Sequence, residues 1–179
     1  MTDLSFESVY EDLFGFVWRT ARRLGVESGA VDDVCQDVFV AVHRGLAEFG
    51  GRGSLKAWIY GILQNSVKMH RRSMARKSPG IRAAGSNVEL DQVRSTDQSP
   101  YELVSSVQAL RMAHDILDAI SDEKREVFVL VELEQWSVVE AAEALDVNVN
   151  TVSARLRAAR KEFAQAAQRI RIRDHWRAE

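Results

Sequence analysis

SVVEAAEALDVNVNTVSARLRAARKEF, residues 137–163, sets a short helix, a turn and a second, basic helix in immediate succession. Ser137 with Glu140 three residues on has the spacing of a capping box, in which each side chain satisfies the other residue's backbone N–H. The helix this starts runs to Leu145, and the small side chains of Ala141 and Ala142 let a second helix cross closely. Asp146-Val147-Asn148-Val149 continues a helix poorly, so the next helix starts at Asn150 or Thr151. Along it Val152, Leu156, Ala159 and Phe163 recur at helical spacing and face inward, which turns Ser153, Arg155, Arg157, Arg160 and Lys161 to the opposite side. Such a pair is a helix-turn-helix. Its second helix enters a major groove, where N-terminal residues reach base edges and arginines grip bases or phosphates.

Helical spacing extends outward from this motif in both directions, and no stretch alternates like a strand. Just upstream, Ser121 is an N-cap with Asp122 and Glu123 in the first turn, and Val127, Phe128, Leu130, Val131 and Leu133 are the core residues of the helix that follows. Before it, Leu103, Val107, Leu110, Ile116 and Leu117 mark another helix from about Tyr101. Residues 76–100, RKSPGIRAAGSNVELDQVRSTDQSP, break the pattern with both prolines of the chain and two glycines, the composition of a linker. On its far side a helix over 4–24 carries Phe6, Val9, Tyr10, Leu13, Val17 and Leu24 on one side, and Gly25 stops it. A strongly amphipathic helix follows, with Val31, Val34, Cys35, Val38, Phe39, Val42, Leu46 and Phe49 three or four residues apart. It ends at Gly50-Gly51-Arg52-Gly53, after which Ser54 caps a third helix with an apolar stripe of Leu55, Trp58, Ile59, Ile62, Leu63 and Val67. The expected fold is all-α: two small helical domains, 1–77 and 101–179, joined by a flexible linker at 78–100. Each would have a thin core, because short chains bury little of their surface.

The net charge of −2 hides strong segregation. Residues 50–88 carry eight Lys/Arg and no acid, and residues 150–179 carry eight Lys/Arg against three acids, whereas 1–49 and 89–149 are acidic. Two basic blocks, each coinciding with a helical motif, point to two polyanion-facing surfaces. The single cysteine, Cys35, excludes an internal disulfide framework and a multi-cysteine zinc site, and its place on the apolar stripe makes it a core residue. His43, His70, His114 and His175 lack metal-ligand spacing, and no phosphate loop or nucleophile motif occurs. The expectation is no catalytic residue, no metal and no cofactor. No apolar run reaches the roughly 18–20 residues of a membrane span, and the acidic start MTDLSFESVYED does not resemble a secretory signal, so a cytoplasmic protein without membrane insertion is expected.

The acidic DDVCQDVF helix at 32–39, the glycine-rich loop and SLKAWIYGILQNSVKMHRR at 54–72 follow one another in the order of region 2 of the extracytoplasmic-function sigma factors, a branch of the sigma-70 family, which this part of the chain resembles. Residues 137–163, with ISDEKREVFVLVELEQWS ahead of them, resemble region 4 of the same family. The resemblance implies a dissociable subunit that brings core RNA polymerase to promoter DNA. Asp32, Asp33, Gln36 and Asp37, off the apolar stripe of the second helix, would dock on the β′ clamp helices, and region 4 on the β flap. Gly51, Arg52, Ser54, Lys56, Tyr60, Gln64, Asn65, Lys68, Arg71 and Arg72 would capture the minus-10 element and a base flipped out of it, with Trp58 in the core. The loop glycines would let backbone approach that base closely. Asn150, Thr151, Ser153, Arg155, Arg157, Arg160 and Lys161 would read the minus-35 element, with Arg157 reading bases and Arg155 and Arg160 structural or directed to phosphates. Ser153 and Ala158 stand where the family often has basic residues, so the promoter sequence does not carry over. The linker acids Glu89, Asp91 and Asp97 would suit a basic channel in the polymerase, and an anti-sigma protein would cover the docking surfaces. Two other readings use fewer of the motifs: a stand-alone helix-turn-helix regulator of duplex DNA, and an interaction module that binds polymerase without starting RNA synthesis.

Overall fold

The structure, a computed structural model, describes residues 5–51, 53–77 and 100–178, with side chains for 5–51, 53–76 and 109–170. Its elements are α1 (Phe6–Arg23), α2 (Ser28–Gly45) with a 3-10 turn at Leu46–Glu48, α3 (Leu55–Lys77), α4 (Pro100–Asp118), α5 (Asp122–Phe128) running into a π-helical turn at Val129–Leu133, α6 (Val138–Leu145) and α7 (Val149–Ala178). Among the described residues all regular structure is helical, as expected, and no helix is long and apolar enough to cross a membrane. The linker acids Glu89, Asp91 and Asp97 and the side chains of Leu103 and Val107 lie outside the described residues.

Local chemistry accounts for most element ends. The Ser5 hydroxyl accepts the Ser8 N–H at 3.2 Å and caps α1. Gly25 then turns the chain at φ +91°, a left-handed conformation that a side chain would strain, while its N–H and that of Val26 return to the carbonyls of Arg22 and Ala21. Ser54 Oγ accepts the Ala57 N–H at 3.3 Å and starts α3. At α6 both halves of the capping box form: Ser137 Oγ accepts the Glu140 N–H at 3.1 Å, and Glu140 Oε2 accepts the Ser137 N–H at 2.7 Å. Asp146 closes α6 at φ +52°, and Asn148 Oδ1 accepts the Asn150 N–H at 2.8 Å. Asn148 is thus the cap of α7, which begins at Val149, just ahead of the expected start, because its amide satisfies a first-turn donor. Ser121 holds the cap position of α5 but makes no side-chain capping bond.

α1, α2 and α3 pack on one another, as do α4, α5 and α6 around α7, and α3 also meets α6. The α2 stripe is buried as spaced, from Val31 to Val42, and Val152, Leu156 and Ala159 bury the inner face of α7. Each such aliphatic side chain stabilises the fold by roughly 1.5–3 kcal/mol. Two expectations need correction. The π-helical turn spreads five residues over what would be one shorter turn, so Val129 and Leu130 point inward while Leu133, expected in the core, is 37% exposed. The two halves also do not keep separate thin cores. One buried cluster runs from Val9 and Phe16 through Tyr60 and Trp136 to Leu156, since each half alone would leave an apolar face that the other covers.

Candidate nucleic-acid interface

Along α2 the buried stripe leaves Asp32, Asp33, Gln36 and Asp37 exposed together on the outer side. Trp18 Nε1 donates to Asp32 Oδ1 at 3.1 Å and ties this face to α1. Beside it α1 and α2 leave an apolar groove of about 650 Å³ containing Phe6, Tyr10, Phe14 and Phe39, with the Tyr10 and Phe39 rings edge to face at 4.7 Å. Cys35 lies under the groove. Burial, with a smaller contribution from the Asp32 charge, pushes its thiol up to about 12. A carboxylate-rich face bordering an apolar groove suits a partner helix that is basic on one side and apolar on the other.

The loop before α3 turns through positive φ at Gly50, Gly51 and Gly53, and Gly51 is exposed; Arg52 lies outside the described residues. On α3 itself the expected binding residues divide. Asn65, Lys68 and Arg72 are exposed. Lys56, Gln64 and Arg71 are only partly so, and each is engaged by the chain itself. Lys56 Nζ sits 4.4 Å from the Phe16 ring centroid, Gln64 Nε2 donates to Glu126 Oε2 at 3.0 Å, and Arg71 pairs with Asp122 at 2.6 Å and donates to the Leu24 carbonyl. Tyr60, expected to stack on an exposed base, is fully buried, and this is a correction. Its ring meets Trp136 edge to face at 5.7 Å, and burial, reinforced by the Glu126 charge, raises its hydroxyl above the ordinary phenol range. The reason is tertiary: the segment before α6 swings over α3 and covers the side that helical spacing alone leaves outside. Trp58, by contrast, packs beside the core against Phe49, with ring centroids 5.1 Å apart.

On α7 the outer face is sorted by ion pairs. Arg155 Nη2 is 2.7 Å from Glu123, and Arg160 directs both Nε and Nη2 at one oxygen of Glu132, at 2.9 and 2.6 Å. Asn150, Arg157 and Lys161 are exposed, and Thr151 and Ser153 half so. Among the described residues no hydrogen bond or ion pair holds Arg157, which leaves its guanidinium available for bidentate contact with a base edge.

Sequence reasoning missed Phe16, Asp122, Arg125, Glu126, Glu134 and Trp136. Arg125, 6% exposed, reaches Asp118 Oδ1 at 3.0 Å and the carbonyls of Leu24 and Ile120 at 3.4 and 3.3 Å; burial lowers its pKa most, against the opposing pull of Asp118. The available signal was that Phe16 lies off the stripe of α1 and Trp136 sits alone in an acidic turn, large apolar groups with no local partner.

Two family models match the chain: Sigma-70 region 2 over residues 9–77 and Sigma-70, region 4 over residues 110–163. The ECF RNA polymerase sigma-E factor of Escherichia coli (strain K12) is 27% identical over 146 residues, covering 80% of this chain and 76% of that protein. The RNA polymerase sigma factor YlaC of Bacillus subtilis (strain 168) is 26% identical over 159 residues, 88% of this chain and 87% of that one. Among solved structures, the sigma factor RpoE in complex with the anti-sigma factor NepR from Bartonella quintana aligns with a TM-score of 0.71 at 20% identity, over 91% of this chain and 96% of that one. CnrH in complex with the cytosolic domain of CnrY aligns at 0.64 and 24% identity, over 89% and 85%. Both structures share this fold.

Proposed function

Because the chain belongs to the extracytoplasmic-function branch of the sigma-70 family, and so directs promoter-specific transcription, we propose that it does so through three surfaces divided between two units, 1–77 and 101–179. Asp32, Asp33, Gln36 and Asp37 dock on the β′ clamp helices of core RNA polymerase. Asn65, Lys68 and Arg72, joined by Lys56, Gln64 and Arg71 once these are released, hold the minus-10 strand next to the 50–54 loop. Asn150, Thr151, Ser153, Arg157 and Lys161 address the minus-35 element in duplex form, with Arg157 on a base edge, while the same unit meets the β flap. The protein lowers the cost of opening the duplex and catalyses no reaction of its own; it works in the cytoplasm beside the polymerase. An anti-sigma protein, as in the RpoE and CnrH complexes, covers these surfaces when the factor is idle.

The observation that carries the reading is the outer face of α2, four exposed polar and acidic residues on a helix whose other side is wholly buried, in the same chain as a helix-turn-helix. A stand-alone regulator has no use for that face. In vitro transcription with purified core RNA polymerase on a promoter library tests it. The expected outcome is factor-dependent transcripts from promoters that share an upstream element. Tight binding to a duplex operator without polymerase, and no transcript, would support the stand-alone regulator.

A further inference from the structure

The face of α3 assigned to the minus-10 strand is covered by the chain's own second half, and we infer that the free protein is closed to promoter DNA by this contact: the segment Asp122–Trp136 acts as an internal stand-in for the strand. The inference rests on α3 being the strand-binding helix.

Two chemically different contacts make the closure. The first is aromatic. Trp136 stacks on Phe16 with centroids 6.1 Å apart and planes 17° from parallel, and its ring also meets Tyr60. Lys56 Nζ lies over both the Phe16 and Trp136 rings, at 4.4 and 5.5 Å, so a cation suited to a phosphate is spent on a cation–π contact. The arrangement repeats what a single-strand site offers a base, an aromatic platform with a cation beside it, with an indole in the base's place.

The second contact is ionic. A cleft of about 380 Å³ sets Lys68, Arg71 and Arg72 of α3 against Asp122, Glu123 and Glu126 of α5. Arg71 pairs with Asp122 at 2.6 Å, and Glu126 takes the hydrogen bond of Gln64 at 3.0 Å. Carboxylates on one helical turn thus face the cations that would otherwise follow a phosphate backbone, and a cation so paired cannot also neutralise a phosphate. At the rim Arg23 Nη1 meets Glu134 Oε1 at 2.5 Å, and Arg71 and Arg125 both donate to the Leu24 carbonyl, where Gly25 leaves room: a Cβ there would run into Arg125 Nη1.

An apolar centre this small inside an ionic rim resembles interfaces that open, not the core of a module. The acidic face of α2 and the exposed Arg157 lie outside the closure. Polymerase can therefore dock while the strand face is shut, and single-strand capture follows opening.

The test measures shape and DNA binding separately on the free, full-length protein. Trp136→Ala removes the aromatic centre. Asp122→Arg places like charge against Arg71 at a side chain 62% exposed, so folding does not depend on it. Neither residue belongs to the proposed DNA or polymerase contacts, and far-ultraviolet circular dichroism checks that helix content is kept. Small-angle scattering reads the radius of gyration, and anisotropy reads binding of a labelled, randomised single-stranded DNA pool. The wild type is expected at about 16 Å, the size of a compact chain of 179 residues, with weak binding. Both variants should expand, and each should bind the pool about tenfold tighter or more, because apparent affinity scales with the open fraction. Folded variants as compact as the wild type would overturn the closure and leave the strand-binding reading of α3 standing. Expansion with no gain in binding would overturn the masking and the strand-binding reading together.

Discussion

Replacing Arg157 with alanine separates reading DNA from holding the fold together. Arg157 is exposed and, among the described residues, unheld by any hydrogen bond or ion pair, so its truncation should leave folding stability within about 0.5 kcal/mol. Its neighbours behave differently. Arg155 pairs with Glu123, whose side chain is 71% exposed, and Arg160 with Glu132, where the exposures are 60% and 32%. Partly exposed pairs of this kind contribute about 0.2–1 kcal/mol each, which Arg155→Ala and Arg160→Ala should lose from stability. On DNA the order reverses. A bidentate contact to a base edge discriminates by about 1–3 kcal/mol, so Arg157→Ala should weaken recognition of the preferred upstream element about 5- to 150-fold and relax preference at one base pair. The assay assembles each variant with core RNA polymerase and measures complex formation on promoters carrying every single-base change, beside thermal unfolding of the factor alone. Two results would refute the reasoning. A uniform loss on all promoters, with the salt slope reduced by about one, would make Arg157 a phosphate contact. A fall in melting temperature matching that of Arg155→Ala would make it structural.

Exchanging Asp33 and Asp37 together for lysine should weaken binding to core RNA polymerase by about 2 kcal/mol, taking rim charges at up to about 1 kcal/mol each, with the deficit shrinking at high salt; unchanged affinity in a competition assay rejects the docking face. Ser137→Ala breaks the capping box and should cost about 1 kcal/mol, read by denaturant or thermal unfolding, whereas an unaltered transition would show that the box contributes nothing. Cys35 should resist iodoacetamide at pH 8 in the native protein and react at once in denaturant. Because its folded value of about 12 lies above the ordinary 9.0, the native state keeps a proton that the unfolded chain gives up between those values, so stability should fall as pH rises through that window. Prompt native labelling, followed by mass spectrometry, would contradict the burial.

Much of the molecule follows from local pattern. The α2 stripe, the Ser137–Glu140 box, the inner face of α7 and the Ser54 cap each depend on residues three or four apart, and such spacing places side chains on one side of a helix whatever surrounds it. The acidic side of α2 was legible for the same reason, being what remains once the stripe is buried.

Other features were not local. Leu133 was expected inside because a regular helix would put it there, and the π-helical turn that moves it out changes the very period on which that expectation rests. Tyr60 was expected on the surface because it lies off the stripe of α3. Periodicity identifies the first face of a helix to be buried; whether a second face is also covered depends on a segment more than sixty residues away in the chain. Phe16, Tyr60 and Trp136 come together, and Lys56, Gln64 and Arg71 find partners, only when the two halves meet. The sequence by itself determined the helices, their caps and the family's order of motifs, because those are short-range chemistry. Which cations on α3 stand free and which are already satisfied was decided by tertiary contact alone, since burial and ion pairing belong to the space around a side chain, and that space is filled from elsewhere in the chain.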